Sequence, residues 1–290
     1  MLIKDKKLVK QFISKQLLKF YLTEKILGDL KYFGSRSVMK KILKENPNKK
    51  QMQFPSKIAI IFLGTGAYIK FFPKYYMTIK KKFLTKTIKQ FFVLTDQIHK
   101  PYLKKKDITI VSVKHEAWPF STLFKFRYIN KISKKLKSYS HIIFIDADMY
   151  INCFISEKEF FFHTKPLFCV RHPNFLGRKG NFEYNSDSLA SVSPNDDLSI
   201  YIQGCFWGGK TSSVLKLIKT LNKRTDNDLK KKVIAIYHDE SHLNKYFIEN
   251  KKLFHIYNPS YAYPNARHIP KPFKKKIIHF HNKKIRAASM

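Results

Sequence analysis

Short apolar runs alternate with longer amphipathic stretches through most of the chain. The runs have the length and composition of buried strands, and the stretches between them repeat apolar residues at helical spacing. In chain order, these runs and stretches cover residues 58–63, 70–83, 91–95, 108–113, 122–136 and 141–145. This order predicts an α/β domain around a largely parallel sheet core.

The second half of the pattern is less regular. Residues 174–200 are polar and contain several Gly, Asn and Ser residues, which predicts a long loop, and loops of that length within compact domains are often functional. A strand-like run follows at 200–207, ends in two glycines and leads into a helical pattern at 211–221. This pattern places the main domain at residues 55–290.

Residues 1–50 differ from the rest in charge. They hold 14 Lys and Arg against 4 Asp and Glu, with apolar residues at roughly helical intervals. This pattern predicts a basic helical N-terminal extension, bounded by the Pro-containing polar segment 46–50. Its aromatic content favours a helical cap packed on the main domain. The alternative is a foot on an anionic membrane surface.

Composition narrows the class of protein. The chain has 290 residues, with 57 Lys and Arg against 20 Asp and Glu, a formal net charge of +37. Such a surplus attracts acidic partners such as nucleotides, nucleic acid or anionic lipid. Lysines are spread over the whole chain without a helix-turn-helix, zinc-finger or RNP-like pattern, so no specific nucleic-acid site is predicted. A basic nucleic-acid-binding protein and a membrane-surface scaffold are the alternatives to an enzyme.

Cysteines and apolar runs indicate where the protein works. Cys153, Cys169 and Cys205 show no Cys-x-x-Cys spacing, and an odd number cannot pair completely within the chain. No apolar run approaches the ~20 residues of a membrane-spanning helix. Lysines also interrupt the first ten residues, where a secretory signal would lie. We expect a cytoplasmic location, with peripheral contact at the inner membrane surface if residues 1–50 bind lipid.

The first candidate site is an apolar run that ends in Asp146-Ala147-Asp148. In an extended chain, residues at this spacing point to the same side about 7 Å apart, so a slight bend lets both carboxylates reach one cation. The alternative is a turn-forming aspartate and a helix cap. Placement directly after a buried strand, in a chain with few acids, favours a site for a metal and a diphosphate.

The second candidate is the segment 237–247, Tyr-His-Asp-Glu-Ser-His-Leu-Asn-Lys-Tyr-Phe. His238 and His242 share one helical face, but the zinc-protease motif H-E-x-x-H needs Glu where this chain has Asp239. In an ordinary helix start, Asp239 and Glu240 would complement the helix dipole from the first turn. Four ionisable side chains in five positions exceed what a helix cap requires, which favours a functional role.

Two glycine-bearing segments complete the candidates. Gln203-Gly204-Cys205, followed by aromatic residues, either leaves room for a ligand near the backbone or marks a strand that crosses tightly under a neighbour. Residues 63–68 follow the first predicted strand as a short turn with room for a nucleotide. This turn lacks the G-x-G-x-x-G pattern, so a dinucleotide-binding fold is not predicted.

Taken together, these segments resemble the family 6 glycosyltransferases, the group that contains the blood-group A and B transferases and the α-1,3-galactosyltransferase. The resemblance covers about residues 57–286, and its most specific piece is the ten-residue run 237–246. The Asp-Ala-Asp segment looks like the family's metal motif, and residues 118–125 look like its nucleotide-side helix. Residues 172–175, His-Pro-Asn-Phe, are similar to its His-Pro-Gly-Phe acceptor segment.

The resemblance implies the A-type glycosyltransferase fold, a Rossmann-like mixed sheet flanked by helices. It implies a retaining hexosyltransferase that moves galactose or N-acetylgalactosamine from a UDP-sugar to the 3-hydroxyl of a galactose-type glycan or glycolipid in an alpha linkage. Eukaryotic members carry an N-terminal anchor and stem, which this sequence lacks, so a bacterial or viral type is expected.

A metal requirement also follows from the resemblance. Asp146 and Asp148 would hold Mn²⁺, a Lewis acid for the departing diphosphate. Bacterial relatives often carry Asn-x-Asn at these positions, whereas this chain keeps both acids, so we expect metal dependence.

Further site residues are assigned by the same resemblance. On the nucleotide side they are Leu63, Gly64, Thr65, Tyr68, Thr122, Lys125, Asp146, Lys283 and Arg286. On the substrate side they are His172 at the acceptor and Gln203, Gly204, Cys205, Tyr237 and Asp239 around the donor sugar.

Three of these positions carry sharper expectations. Glu240 looks like the carboxylate beneath the anomeric carbon, either a nucleophile or a stabiliser of an oxocarbenium-like ion. The family commonly has Arg at the position of Lys125, so a bidentate phosphate contact is not expected from this chain. Cys205 is bulkier than the Gly associated with N-acetyl acceptance, which favours galactose as the donor sugar.

Overall fold

The computed structural model describes residues 54–265 and 273–280. The predicted basic extension at residues 1–50 lies outside the described residues, and so do Lys283 and Arg286. The choice between a helical cap and a membrane foot, and the role of the two basic residues near diphosphate, therefore stay predictions.

The first half of the sheet is parallel, as the alternating pattern predicts. Its strands are β1 (Lys57–Leu63), β2 (Ile88–Thr95), β3 (Ile108–Ser112) and β4 (His141–Ile145). They lie side by side in the order β3-β2-β1-β4, with every neighbouring pair parallel. The carboxyl ends of all four strands therefore meet at one edge of the sheet, where loops can build a site.

Helices form two of the three connections in this parallel half. Helix α1 (Phe72–Lys82) joins β1 to β2 and buries its apolar stripe against the sheet. The stretch predicted as helical at 122–136 is divided into α2 (Phe120–Leu123), α3 (Lys125–Lys131) and α4 (Ser133–Leu136). The backbone leaves helical geometry at the two residues between these pieces, Phe124 and Ile132.

The second half of the sheet is mixed. Strand β7 (Ile202–Lys210) runs antiparallel between β4 and β6 (Leu167–Arg171), and β8 (Phe254–Tyr257) lies parallel beyond β6. The seven strands follow the order β3-β2-β1-β4-β7-β6-β8. A Cβ atom at Gly208 would lie 2.3 Å from the carbonyl oxygen of Ile142, so β7 lies tightly beside β4 at this glycine.

A second, three-stranded sheet joins segments that are distant in the chain. It contains β5 (Met149–Ile151), β9 (Tyr263–Pro264) and β10 (Ile277–His279), with β10 in the centre. Strand β10 runs antiparallel to β5, which places His279 opposite Met149. The last described strand therefore lies directly beside the Asp-Ala-Asp segment.

Two apolar clusters sandwich the large sheet. On one face, α1 packs with the short helix α5 (Glu157–Phe160) and strands of the second sheet. On the other face, α3 packs with α6 (Thr211–Lys230) and α7 (His238–Glu249). Residues 174–200 contain neither a long helix nor a strand, as expected for a loop. Within the described residues, no helix combines the length and apolar character needed to cross a membrane.

Candidate active site

The two acids that follow β4 lie in a tight turn rather than in the extended chain considered from the sequence. The backbone N–H of Met149 donates to the carbonyl oxygen of Asp146 at 3.1 Å, which closes the turn. The N–H of Asp146 donates to the carbonyl oxygen of Cys205 in β7 at 2.9 Å, which fixes the turn to the sheet. Asp148 is buried, and the Asp146 side chain keeps 29% of its surface exposed.

His279 supplies a third donor atom at this turn. One ligand atom from each of Asp146, Asp148 and His279 lies within 4.8 Å of the others, and His279 Nε2 is 3.1 Å from Asp148 Oδ1. Two carboxylates and an imidazole form a donor set that suits a divalent transition ion such as Mn²⁺. The residues present therefore fit the metal that the sequence predicted, and His279 adds to the two acids named there.

Lys125 is the central cation of the site. Its buried ammonium lies 2.7 Å from Asp239 Oδ2 and 3.5 Å from Asp146 Oδ1, and it donates to the carbonyl oxygen of Gly204 at 3.2 Å. Burial alone would lower the pKa of Lys125, but the charges of Asp146 and Asp239 outweigh it and hold that pKa above its usual range. Lys125 therefore stays charged and links Asp146, which follows β4, to Asp239 in α7.

Glu240 lies in the first turn of α7, beneath Gly204. The backbone N–H of Gly204 donates to Glu240 Oε2 at 2.7 Å. Burial raises the pKa of Glu240 to about 7, even though the hydrogen bond from Gly204 favours the ionised form. A Cβ atom at Gly204 would lie 3.4 Å from Asp239 Oδ2 and 3.5 Å from Glu240 Oε2. The absence of a side chain at Gly204 thus keeps space open beside both carboxylates.

Asn244 fixes the position of this helix against β7. Its side chain accepts from the N–H of Ile202 at 2.9 Å and donates to the carbonyl oxygen of Ile202 at 2.9 Å. The same amide donates to the carbonyl oxygen of Glu240 at 3.0 Å. Because all three bonds are buried or nearly so, the start of α7 and the start of β7 are held in one register.

Comparison with known proteins decides the assignment. A model of glycosyltransferase family 6 matches residues 38–288 of this chain. The chain belongs to glycosyltransferase family 6. Its mixed seven-stranded sheet, flanked by helices, is the A-type glycosyltransferase fold, which confirms the fold predicted from the sequence.

Individual relatives of this family 6 chain span bacteria and mammals. It is 34% identical to the O-antigen biosynthesis glycosyltransferase WbnI of Escherichia coli, over 71% of this chain and 88% of that one. It is 23% identical to histo-blood group ABO system transferase 1 of Rattus norvegicus, over 71% of this chain and 60% of that one. A third relative, at 26% identity, is the globoside alpha-1,3-N-acetylgalactosaminyltransferase 1 of Mus musculus, over 57% of this chain and 47% of that one. The matches span less than two thirds of these two mammalian proteins.

The two histidines of the 237–246 run point to different neighbours in this family 6 chain. His238 Nδ1 lies 3.3 Å from Oγ1 of Thr122, a residue predicted to lie on the nucleotide side. His242 Nε2 lies 3.6 Å from Asp228 Oδ2 in α6, and both side chains are almost completely buried. Asp228 also accepts from the hydroxyl of Ser188 at 2.6 Å. His242 therefore belongs to a structural group that ties α7, α6 and the 174–200 loop together.

The predicted nucleotide side collects the ends of three strands. After β1, the N–H of Gly66 donates to Asp96 Oδ1 at 2.9 Å, and Gln97 Nε2 donates to the carbonyl oxygen of Gly66 at 2.8 Å. His115 Nδ1 lies 2.9 Å from Thr65 Oγ1. Gly66 has a φ of 55°, and a Cβ atom there would lie 2.8 Å from the His115 ring. Sequence reasoning missed Asp96, Gln97 and His115, although each follows a predicted strand.

The predicted acceptor side is built on the 174–200 loop. His172 Nδ1 accepts from the N–H of Asn174 at 3.1 Å, and burial lowers the pKa of His172 to about 3. The side chain of Asn181 donates to the hydroxyl of Tyr237 at 2.9 Å. Neutral His172 and Tyr237 thus present hydrogen-bonding groups whose positions the loop determines.

Proposed function

We propose that this chain is a retaining glycosyltransferase that moves galactose, or N-acetylgalactosamine, from a UDP-sugar to the 3-hydroxyl of a galactose-type acceptor in an alpha linkage. We call the three possible metal ligands Asp146, Asp148 and His279 the metal group. One observation carries the proposal: the buried ammonium of Lys125 contacts both Asp146 of this group and Asp239, the neighbour of Glu240. A sugar nucleotide joins a diphosphate to an anomeric carbon through one bond. An enzyme that breaks this bond needs a diphosphate site and a sugar site at such close range.

The acids of the metal group would serve the leaving group. When bound, a divalent cation such as Mn²⁺ would offset the charge that develops on the departing diphosphate. Asp146, Asp148 and His279 would hold it. Lys125 orients Asp146 and Asp239 toward their partners, and Asp239 offers a carboxylate oxygen to the sugar hydroxyls.

Glu240 would act at the anomeric carbon. In a covalent route, a Glu240 oxygen bonds to that carbon while the carbon–oxygen bond to UDP breaks, and the bonding electrons leave with the diphosphate. The acceptor 3-hydroxyl oxygen then replaces Glu240 on the carbon, and its proton passes to a diphosphate oxygen. In the alternative route, the Glu240 carboxylate stabilises an oxocarbenium-like ion while both events take place on one face. Both routes retain the alpha configuration.

Cys205 bears on the donor sugar. It lies directly after Gly204 and is buried, and the acids Asp146 and Glu240 add to burial in raising the pKa of its thiol. We propose that this thiol limits the space available for an N-acetyl group. We therefore propose galactose ahead of N-acetylgalactosamine, with a galactose-type glycan or glycolipid as the acceptor, in keeping with relatives that are named for O-antigen and blood-group synthesis.

Transfer assays test the proposal. The purified chain is incubated with a panel of UDP-sugars and a galactose-terminated acceptor, with Mn²⁺ or with chelator, and the product linkage is determined by NMR. We expect an alpha-1,3 product that requires metal and is lost in Glu240→Gln. Glu249→Gln, on the same helix but paired with Arg224, is the matched control. A beta product, or transfer at full rate in chelator, would contradict the proposal.

A further inference from the structure

Gln203 was expected at the donor sugar, but its side chain also contacts the metal group. Its Nε2 lies 3.3 Å from His279 Nδ1. The other nitrogen of the same ring, Nε2, lies 3.1 Å from Asp148 Oδ1. The three side chains therefore form a row in which the imidazole lies between an amide and a carboxylate.

One atom in this row is unsatisfied. Among the described residues, Gln203 Oε1 is buried and has no hydrogen-bond partner. Buried acceptors in folded proteins nearly always have a donor, and leaving one without costs free energy. A half-turn about the last side-chain bond of Gln203 exchanges its oxygen and nitrogen, so this amide has two orientations toward His279.

Each orientation selects one tautomer of His279. With Gln203 Nε2 donating to Nδ1, the ring proton lies on Nε2 and is directed at Asp148. A metal ion needs a lone pair on Nε2, so the proton must then lie on Nδ1, where it requires an acceptor. Gln203 Oε1 is that acceptor after the half-turn. The same residue thus supports the metal-free ring and the ligating ring.

We infer that Gln203 is a positioning residue of the metal site, whose amide turns to accept the Nδ1 proton of His279 and so presents Nε2 as a third metal ligand. The inference rests on the proposed function only in taking Asp146, Asp148 and His279 as the residues that hold the ion. A nitrogen ligand favours Mn²⁺ or Co²⁺ over Mg²⁺, which prefers oxygen. Gln203 therefore contributes to the choice of metal as well as to its retention.

Metal binding without any substrate tests this inference. Mn²⁺ alone is titrated into the full chain, and the free aquo ion is followed by its EPR signal. Gln203→Met keeps the length of the side chain but removes the acceptor, and we expect Mn²⁺ affinity to fall by about tenfold to a hundredfold. Gln203→Glu keeps an acceptor for Nδ1–H, and we expect it to bind Mn²⁺ at least as well as the intact chain.

Gln90→Met is the matched control. Gln90 lies in β2, where its amide donates to Thr109 Oγ1 at 3.1 Å, far along the sheet from the metal group. We expect this variant to keep the Mn²⁺ affinity of the unmodified chain. Competition with Mg²⁺ is measured for each protein, and the preference for Mn²⁺ should shrink only in Gln203→Met.

Three outcomes would overturn the inference. They are unchanged Mn²⁺ affinity in Gln203→Met, equal losses in Gln203→Met and Gln203→Glu, and no Mn²⁺ binding by the intact chain. A Gln203→Met variant that changes only the KM for the UDP-sugar would place Gln203 at the donor sugar alone. The proposed function fails separately: a chain that binds Mn²⁺ as expected but transfers no sugar refutes the transfer reaction and leaves the role of Gln203 intact.

Discussion

Two groups of buried or half-buried titratable side chains lie at opposite ends of β4. Beyond its carboxyl end, Lys125 joins Asp146 and Asp239 through contacts of 3.5 and 2.7 Å. At its other end, the rings of His163 and His255 stack with centroids 4.2 Å apart. Burial lowers the pKa of His163 to about 3 and that of His255 to about 4.

The difference shows what distinguishes a site from a core. The histidines respond to burial by losing their charge and pack as aromatic rings. Lys125 is buried as well, but the charges of Asp146 and Asp239 hold its pKa above its usual range, so its charge is retained in a place where it is costly. Retained and compensated charge, rather than burial of titratable groups, distinguishes the end of the sheet that we propose as the active site.

Substitutions in the metal group should cause the largest loss of activity. Asp148→Asn removes a carboxylate beside His279, and an amide holds a divalent cation far less well. We expect Mn²⁺-dependent transfer to fall by more than about 100-fold, and Asp146→Asn to behave in the same way. The exposed Asp187→Asn is the control. If both variants kept full activity in chelator, the metal assignment would be wrong.

Glu240→Gln tests whether charge at the acid end is kept for function at a cost in stability. We expect kcat to fall on the order of 10²- to 10³-fold, as when one preorganised group that stabilises the transition state is removed. In the intact chain, transfer should decline as the pH falls through about 7, because Glu240 then takes up a proton. A flat pH profile between 6 and 8 would exclude Glu240 as the acting carboxylate.

At alkaline pH, Glu240→Gln should be more stable to unfolding than the intact chain. The folded chain holds the Glu240 proton up to about pH 7, whereas an unfolded chain releases it near 4.5, so stability falls as the pH rises between these values. Above pH 7 the buried charge remains a cost. We expect Glu240→Gln to gain up to ~3 kcal/mol at pH 8 and nothing at pH 4, measured by denaturant unfolding.

The histidine end should show the opposite behaviour. His163→Phe should leave transfer within about twofold, because His163 lies at the opposite end of β4 from these acids. Below pH 6.5 an unfolded chain binds a proton that folded His163 refuses until about pH 3, so stability falls with falling pH. On acidification from pH 7 to pH 5, the free energy of unfolding of the variant should therefore fall by about 1–2 kcal/mol less than that of the intact chain. The exposed His99→Phe is the control, and equal acid sensitivity in both variants would remove His163 from this account.

Cys205→Gly is expected to have the smallest effect. It removes a thiol beside the acid end without touching a charge, so the variant should use UDP-N-acetylgalactosamine a few-fold better relative to UDP-galactose. The ratio of the two kcat/KM values is the measurement. An unchanged ratio, in a variant that still folds, would show that Cys205 does not line the donor pocket.

Local patterns along the chain single out one part of this candidate site. Asp146 and Asp148 stand out because a continuous apolar run ends at them, and Glu240 lies within a ten-residue run with too many ionisable groups for a helix cap. Strands β1, β2 and β4 were predicted because a buried parallel strand is apolar along its whole length. In each case the signal lies within a few consecutive residues.

The remainder depends on contacts between distant segments. Strands β5, β9 and β10 have three, two and three residues, too few for any period to be recognised, and His279 lies on one of them. Lys125 was predicted on the nucleotide side, and its pairing with Asp239 follows from the packing of α3 beneath β7 and α7. His115 reaches Thr65 only because β1 and β3 end at the same edge. The spacing of residues along the chain does not predict these contacts between distant segments.

The position of β10 has a consequence for protein synthesis. A nascent chain that has emerged through Asp148 already contains the turn and both carboxylates, yet the third donor, His279, lies 131 residues further along the chain. Strand β5 also waits for β10 before it gains its partner in the second sheet. The three donors can therefore come together only after His279 has left the ribosome, so nascent chains that have not yet reached this residue lack one of the three donor atoms.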